Sequence, residues 1–157
     1  MAVICFRFPE EENGYLSNWY MCDFEVDGIR YSSLEQYMMY QKARCFGDER
    51  CMEEILKTDD PSQIKALGRQ VSNFDSTRWN GVRQIVVYRG LLAKFSQNED
   101  LKAMLKATGD DILAECAVKD RIWAIGLSLE DEDRFDVSKW KGQNLLGYAL
   151  MMVRQQI

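Results

Sequence analysis

The sequence contains no histidine among its 157 residues. Catalytic mechanisms that use a histidine base, such as the Ser-His-Asp and Cys-His arrangements, are therefore excluded. Zinc sites with histidine ligands and the two-histidine iron triad are excluded for the same reason. Proton transfer near pH 7 has to come from a carboxyl group with a raised pKa, or from a lysine, tyrosine or cysteine with a lowered pKa.

The number and spacing of the cysteines predict neither a disulfide framework nor a metal site. The five cysteines are an odd number and form no C-x-x-C pair, which argues against a disulfide framework and a four-cysteine zinc site. They are Cys5, Cys22, Cys45, Cys51 and Cys116. We therefore expect reduced thiols, no metal site and no cofactor.

Long apolar runs and an excess of positive charge are also missing. No run of 18 apolar residues is present, and the N-terminus has no basic stretch ahead of an apolar one. These absences argue against a membrane span and a signal peptide. The 20 basic and 25 acidic residues give a net charge of −5, whereas proteins that coat nucleic acid are usually basic. We expect a cytoplasmic protein without a membrane partner and without affinity for duplex nucleic acid. The sequence does not indicate whether the protein is a monomer or an oligomer.

The chain's length and its hydrophobic spacing predict one mainly helical α+β domain, residues 1–157, with a small sheet or hairpin. Asp27-Gly28, between two short β-type triplets, predicts a hairpin with a type I′ turn. Further strands are predicted at residues 3–8 and 112–117. Two helices are predicted at about 34–46 and 82–96. A short helix is predicted between Asp60-Pro61 at its start and Gly68 as its C′ residue, another ends at Gly109, and the last begins after Asn144.

Two of these helices carry predictions about individual side chains. In the helix at 82–96, a 3-4-3 spacing predicts a core-facing stripe formed by Ile85, Tyr88, Leu92 and Phe95. In the last helix, Asn144 is the predicted N-cap, and the residues predicted to face inward are Leu146, Leu150 and Val153.

Glu35 and Lys42 stand seven residues apart on the helix predicted at 34–46. This spacing places both on one face, with Cα atoms roughly 10 Å apart, so both side chains can reach a ligand between them. The stripe is otherwise apolar, and burial would shift both pKa values towards the neutral forms. The alternative, which is the commoner outcome for such a spacing, is a helix-capping glutamate and an exposed lysine.

The four tryptophans lie in predicted loops or at the edges of elements, several of them beside asparagine or aspartate. They are Trp19, Trp79, Trp123 and Trp140. Such positions suit stacking on a planar ring, with packing beneath a loop as the alternative. Gly68-Arg69 and the segment 142–144 are weak candidates for anion binding, and for Asn144 the alternative is capping without a ligand.

The order of short motifs along the chain resembles the NADAR family, over residues 15–154. The matching stretches include Leu16-Ser17-Asn18-Trp19, the run S-L-E-Q-Y-M-M-Y-Q-K at 33–42, Gly68-Arg69, Trp79, Ala93-Lys94-Phe95, Glu115, Asp120 with Trp123, and Asn144-Leu145-Leu146-Gly147. The chain departs from the family pattern at Trp19, where most members have phenylalanine, at Ala124, where they have glycine, and at Gln143. An arginine is frequent at this last position, so a positive charge near the expected phosphate site is missing.

The resemblance implies an N-glycosidase that hydrolyses the bond between a phosphorylated ribose and an exocyclic amine. Riboflavin-pathway members release a ribose phosphate from an aminopyrimidine amine, and this is the activity that we expect here. One alternative is an ADP-ribose hydrolase that removes ADP-ribose from guanine in nucleic acid. The other is a module that binds ADP-ribose or a nucleotide without turnover.

The resemblance also implies roles for particular residues, and the expected catalytic residues are Glu35, Lys42 and Asp120. Glu35 would stabilise positive charge on C1′ and O4′, orient the sugar or move protons, while Lys42 would form a Schiff base or act as the acid. Both mechanisms stay open, and Asp120 has the alternative of a loop cap. The residues expected to bind the ring, ribose and phosphate are Asn18, Trp19, Arg69, Trp79, Lys94, Trp123 and Asn144.

Overall fold

The computed structural model describes residues 2–157, as six α-helices and four strands joined by loops and short 3₁₀ turns. The strands are β1 (Val3–Phe6), β2 (Phe24–Val26), β3 (Ile29–Tyr31) and β4 (Ile112–Glu115). The helices are α1 (Leu34–Cys45), α2 (Glu49–Leu56), α3 (Pro61–Gly68), α4 (Ser76–Gln97), α5 (Glu99–Ala107) and α6 (Leu145–Gln156). This is the mainly helical α+β fold with a small sheet that the sequence predicts.

The strands form two separate pairs. β2 and β3 are antiparallel and joined by Asp27 and Gly28, whose φ angles of 52° and 80° are those of the predicted type I′ turn. β1 and β4 are parallel, with Phe6 in register with Glu115. Because parallel strands end at the same edge, this pair brings the segments that follow β1 and β4 together.

Helix α1 packs against α2, α3 and α4. Its N-cap is Ser33, whose hydroxyl accepts a hydrogen bond from the backbone N–H of Gln36 at 3.1 Å. The Gln36 side chain accepts in return from the backbone N–H of Ser32 at 2.8 Å. Gln36 therefore fills the capping role that the alternative interpretation gave to Glu35, and the Glu35 side chain is left for another use.

Helix α4 begins earlier, and turns a different face to the core, than the sequence predicts. Asp75 caps it by accepting from the N–H groups of Thr77 and Arg78, so Trp79 lies in its first turn rather than in a loop. The residues that α4 buries are Trp79, Val87, Gly90, Leu91, Lys94 and Phe95. Ile85, predicted to face inward, is 62% exposed. The contact face is instead set by Gly90, whose missing side chain leaves room for the Tyr37 ring of α1.

Several smaller predictions differ from the structure. β1 ends at Phe6 and β4 at Glu115, two residues before the predicted ends, and the sequence pattern did not predict α2. Gly68 is the last residue of α3 rather than its C′ residue, and a side chain there would collide with Met39 of α1. The inward face of α6 is as predicted, since Leu146, Leu150 and Val153 are fully buried. All five cysteines carry free thiols.

Candidate active site

A cavity of about 340 Å³ lies where the ends of β1 and β4 meet α1 and α3. It is lined by Arg7, Phe8, Pro9, Ser17, Asn18, Trp19, Glu35, Met38, Met39, Lys42, Lys65, Gly68, Arg69, Glu115, Asp120 and Trp123. Seven of the ten residues predicted for the site are in this lining, and they come from four separate segments of the chain.

Glu35 and Lys42 reach the cavity from the same face of α1, with Met39 between them. The backbone N–H of Glu35 donates to the carbonyl oxygen of Asn18 at 3.0 Å, which ties the first turn of α1 to the loop that carries Asn18. Glu35 is only 5% exposed. The Lys42 ammonium lies 4.8 Å from the centre of the Phe74 ring. The predicted common face is therefore present and points into the cavity.

Burial perturbs the acid–base properties of this pair. Loss of hydration raises the pKa of Glu35 from 4.5 to about 7, although the positive charges of Lys65, Lys42 and Arg69 act in the opposite direction. Burial likewise lowers the pKa of Lys42, against the influence of Glu35. Both groups can therefore exchange protons at a pH where ordinary glutamate and lysine side chains do not.

A second carboxyl group, that of Glu115, stands at the end of β4. Burial raises its pKa to about 7, and the nearby negative charge of Asp120 acts in the same direction. The Asp120 Oδ1 accepts from the backbone N–H groups of Ile122 and Trp123, both at 2.9 Å, and so fixes the turn that presents the Trp123 ring. Asp120 is thus both the predicted loop cap and part of the cavity lining.

The cavity also gathers four cationic side chains: Arg7, Lys42, Lys65 and Arg69. None of them forms an ion pair with another part of the described chain, residues 2–157. The side-chain oxygen of Asn18, a residue that is only 8% exposed, has no hydrogen-bond partner among the residues that the structure describes. Unpaired buried polar atoms are costly, so this combination is typical of a ligand site.

Three residues predicted to bind substrate lie outside the cavity lining. Trp79 is buried in the main hydrophobic core. Lys94 is completely buried, and its ammonium donates to the carbonyl oxygens of Tyr15 and Ser17 at 2.8 and 3.1 Å. Asn144 has a left-handed φ of 53°, makes no side-chain cap, and instead bonds to β4. The structure gives these side chains packing and positioning contacts, and their contacts with ring or phosphate stay predictions.

The sequence interpretation missed three charged residues of the lining, which are Arg7, Lys65 and Glu115. Lys65 lies one turn before Gly68-Arg69 on α3, so its helical spacing from Arg69 was the available signal. Arg7 follows β1 and Glu115 ends β4, and no local pattern predicts that these two strands pair. For Glu115, the available signal was its place among the residues that match the family.

The described residues contain neither a metal-binding cluster nor a membrane-spanning helix. Residues 2–157 contain no group of three or more cysteine, aspartate or glutamate side chains arranged to hold a metal ion. Within the same residues, no helix has the length and apolar character needed to cross a bilayer.

Fold and cavity together define a class of small α+β proteins that present carboxyl groups, a lysine and tryptophan rings to one pocket. The family model of the NADAR domain matches residues 5–157. The chain belongs to the NADAR domain family.

Three relatives illustrate the family. N-glycosidase R617 of Acanthamoeba polyphaga mimivirus is 39% identical over 145 residues, covering 89% of this chain and 85% of the relative. Riboflavin biosynthesis protein VVA0006 of Vibrio vulnificus (strain YJ016) is 34% identical over 154 residues, which is 98% of this chain but 38% of that longer protein. The NMR structure of Escherichia coli YbiA superimposes with a TM-score of 0.81 at 32% identity, covering 99% of this chain and 84% of YbiA. YbiA carries the name N-glycosidase.

Proposed function

We propose that the protein is an N-glycosidase, which hydrolyses the bond between ribose C1′ and an exocyclic amine of a 5′-phosphorylated riboside. The observation that carries the proposal is the placement of Glu35 and Lys42 on one face of a cavity, with the pKa of the acid raised and that of the base lowered. The relatives named N-glycosidase support the reaction class. The relative named for riboflavin biosynthesis supports an aminopyrimidine ribosylamine phosphate as substrate.

The roles follow from the charge that the reaction develops. As the C1′–N bond breaks, positive charge appears on C1′ and O4′, and the Glu35 carboxylate can stabilise it. Lys42 can act in either of two ways. Its neutral amine can capture the ring-opened sugar as a Schiff base, and its ammonium form can donate a proton.

The remaining lining supplies binding contacts for the substrate. The rings of Trp19 and Trp123 face the cavity and can stack on a planar base. Arg69 was expected to bind phosphate, and we add Arg7 and Lys65, which share its cavity and have no anionic partner in the described chain. The unpaired oxygen of Asn18 can accept from a ribose hydroxyl.

A second candidate function is removal of ADP-ribose from guanine in nucleic acid. A smaller cavity of about 210 Å³ lies between α4 and α6, bordered by Tyr88 and Tyr148, and it shares Trp123 with the main cavity. This second cavity can accept a further ring, which ADP-ribose has and a simple ribosylamine phosphate lacks. The observation favours a larger substrate than the first candidate requires.

The deciding experiment offers both substrates to the protein. An aminopyrimidine ribosylamine 5′-phosphate and a guanine-ADP-ribosylated oligonucleotide are incubated separately, and the released sugar phosphate or ADP-ribose is measured. Faster turnover of the ribosylamine supports the first candidate, and faster turnover of the oligonucleotide supports the second. Binding of either compound without release would contradict both and identify a binding module.

A further inference from the structure

We propose that Glu115 is a second catalytic residue, the general acid that protonates the departing amine. The proposal rests on the N-glycosidase activity proposed above and adds a residue to it. Glu115 is the only other glutamate in the cavity lining besides Glu35. Neither the sequence patterns nor the names of the relatives assign it a role.

The position of Glu115 is fixed by contacts on both sides of its strand. Its backbone N–H donates to Oδ1 of Asn144 at 3.2 Å, and Nδ2 of Asn144 donates to the carbonyl oxygen of Leu113 at 2.9 Å. Asn144 is itself completely buried. On the other side, Glu115 is in register with Phe6 of β1. A carboxyl group carried on such a rigid segment is held ready for a reaction that needs accurate placement.

The charged neighbours of the two glutamates differ. Glu35 is influenced by three cations, Lys65, Lys42 and Arg69. The carboxyl group of Glu115 is influenced by two anions and two cations, which are Asp120, Glu35, Arg7 and Lys65. The charges around Glu35 favour its carboxylate form, whereas those around Glu115 act in both directions, and burial raises both pKa values to about 7. A pair of carboxyl groups whose environments differ in this way divides into a base or stabiliser and an acid.

The chemical step balances with Glu115 in its protonated form. The electron pair of the C1′–N bond moves to nitrogen, which takes the proton from the Glu115 carboxyl group, and the free amine departs. The cation left on C1′ and O4′ faces the Glu35 carboxylate. Water then adds to C1′ and gives one proton back to Glu115, so that the products are the free sugar phosphate and the amine.

The first test is the pH dependence of Glu115→Gln with the ribosylamine phosphate. In the wild type, kcat falls on the alkaline side as Glu115 loses its proton. We expect the variant to lose about 100-fold or more in kcat near pH 7 and to lose this alkaline limb. Glu115→Asp keeps an acid at the same position, so it should retain the limb at a reduced rate. The matched control is Glu53→Gln on the exposed face of α2, which should leave kcat unchanged.

The second test changes the leaving group. An N-ribosyl pyridinium 5′-phosphate releases a neutral pyridine, which needs no proton to depart. With this compound, Glu115→Gln should lose less than about threefold in kcat relative to wild type. Equal losses on both compounds would overturn the assignment, and so would an alkaline limb that survives in Glu115→Gln with an unchanged midpoint. The pH profile needs only the ribosylamine. It therefore tests the assignment of Glu115 as the general acid even where the pyridinium compound is not turned over.

Two further measurements separate the possible failures. Circular dichroism and calorimetric binding of ribose 5-phosphate establish that Glu115→Gln is folded and keeps its site. A folded variant with wild-type kcat removes Glu115 from the mechanism and leaves the N-glycosidase activity standing. A wild-type protein that releases no sugar from any of the compounds contradicts the proposed function itself.

Discussion

Two groups of buried polar side chains in this protein differ in how their hydrogen bonds are satisfied. In the first group, Lys94, Asn144 and Gln36 bond to backbone atoms of neighbouring segments. In the second group, Glu35 and Asn18 face the cavity, and the Asn18 oxygen has no hydrogen-bond partner within residues 2–157. Both groups are almost completely buried.

The difference separates polar groups that hold the fold from those available to a ligand. A buried polar group is tolerated when its hydrogen bonds are made, and an unmade bond costs about 1–3 kcal/mol. The first group stabilises loops and strand ends, including the loop of Asn18 and the strand of Glu115. The second group carries an unmet cost that a substrate can relieve.

Replacement of the cavity pair should affect catalysis most. We expect Glu35→Gln and Lys42→Ala each to lower kcat by about 100-fold or more, because the first removes the stabilising charge and the second removes the amine. The control is Arg44→Ala, an exposed cation on the same helix outside the cavity, which should be neutral. Borohydride should trap the sugar on wild type but not on Lys42→Ala when the Schiff-base route operates. Normal turnover by both cavity variants would exclude the pair from the chemistry.

Lys94 belongs to the first group, so its replacement should act on stability. Lys94→Met keeps the length of the side chain but leaves the carbonyl oxygens of Tyr15 and Ser17 without their donor. We expect a loss of about 2–4 kcal/mol in the free energy of unfolding, measured with denaturant. Lys106→Met, at an exposed position of α5, is the control. Unchanged stability together with a raised KM for the phosphorylated substrate would instead favour the phosphate-binding role predicted from the sequence.

Glu35 should reduce stability at alkaline pH, unlike the residues of the first group. Its pKa in the folded protein, about 7, lies above the ordinary value of 4.5. The folded state therefore binds the proton more tightly, and stability falls as pH rises from about 4.5 through about 7. We expect Glu35→Gln to be more stable than wild type by about 1–2 kcal/mol at pH 8, with a smaller difference at pH 5. Thermal unfolding at both pH values is the measurement, and a destabilised variant at pH 8 would contradict the cost assigned to this carboxylate.

The unpaired cations should show a moderate effect that depends on phosphate. Charge-assisted hydrogen bonds contribute about 1.5–3 kcal/mol each, so we expect Arg69→Ala to lower kcat/KM by about tenfold or more on the phosphorylated substrate. On the dephosphorylated compound the variant and the wild type should be alike. Arg50→Ala, on the exposed face of α2, serves as control. Equal losses on both compounds would assign Arg69 to packing rather than to phosphate.

Removal of metal should have no effect. The proposed chemistry uses carboxyl groups and an amine, so kcat should be the same in EDTA as in untreated enzyme. Lost turnover that Mg²⁺ or Zn²⁺ restores would reveal a metal-dependent step.

Comparison of the helices indicates what local sequence could predict. The bounds of α1 and the turn at Asp27-Gly28 were predictable because caps, positive-φ turns and short apolar spacings act over a few residues. The core face of α4 was not, because it depends on Gly90 meeting Tyr37 of another helix. The place of Trp79 in the first turn of this helix depends instead on a local signal, the Asp75 cap, which the predicted helix bounds did not include.

Composition and local spacing were enough to predict the absence of histidine chemistry, the α+β class and the common helix face of Glu35 and Lys42. Which other polar residues join that pair depends on contacts between distant segments. The parallel pairing of β1 with β4 joins segments that are 109 residues apart in the sequence, and it places Arg7 and Glu115 in the cavity lining. The same folding turns Lys94 inward to bond with backbone atoms. The positions of these side chains depend on long-range packing and on which polar groups find hydrogen-bond partners in the folded chain. The spacing of neighbouring residues predicts neither of these.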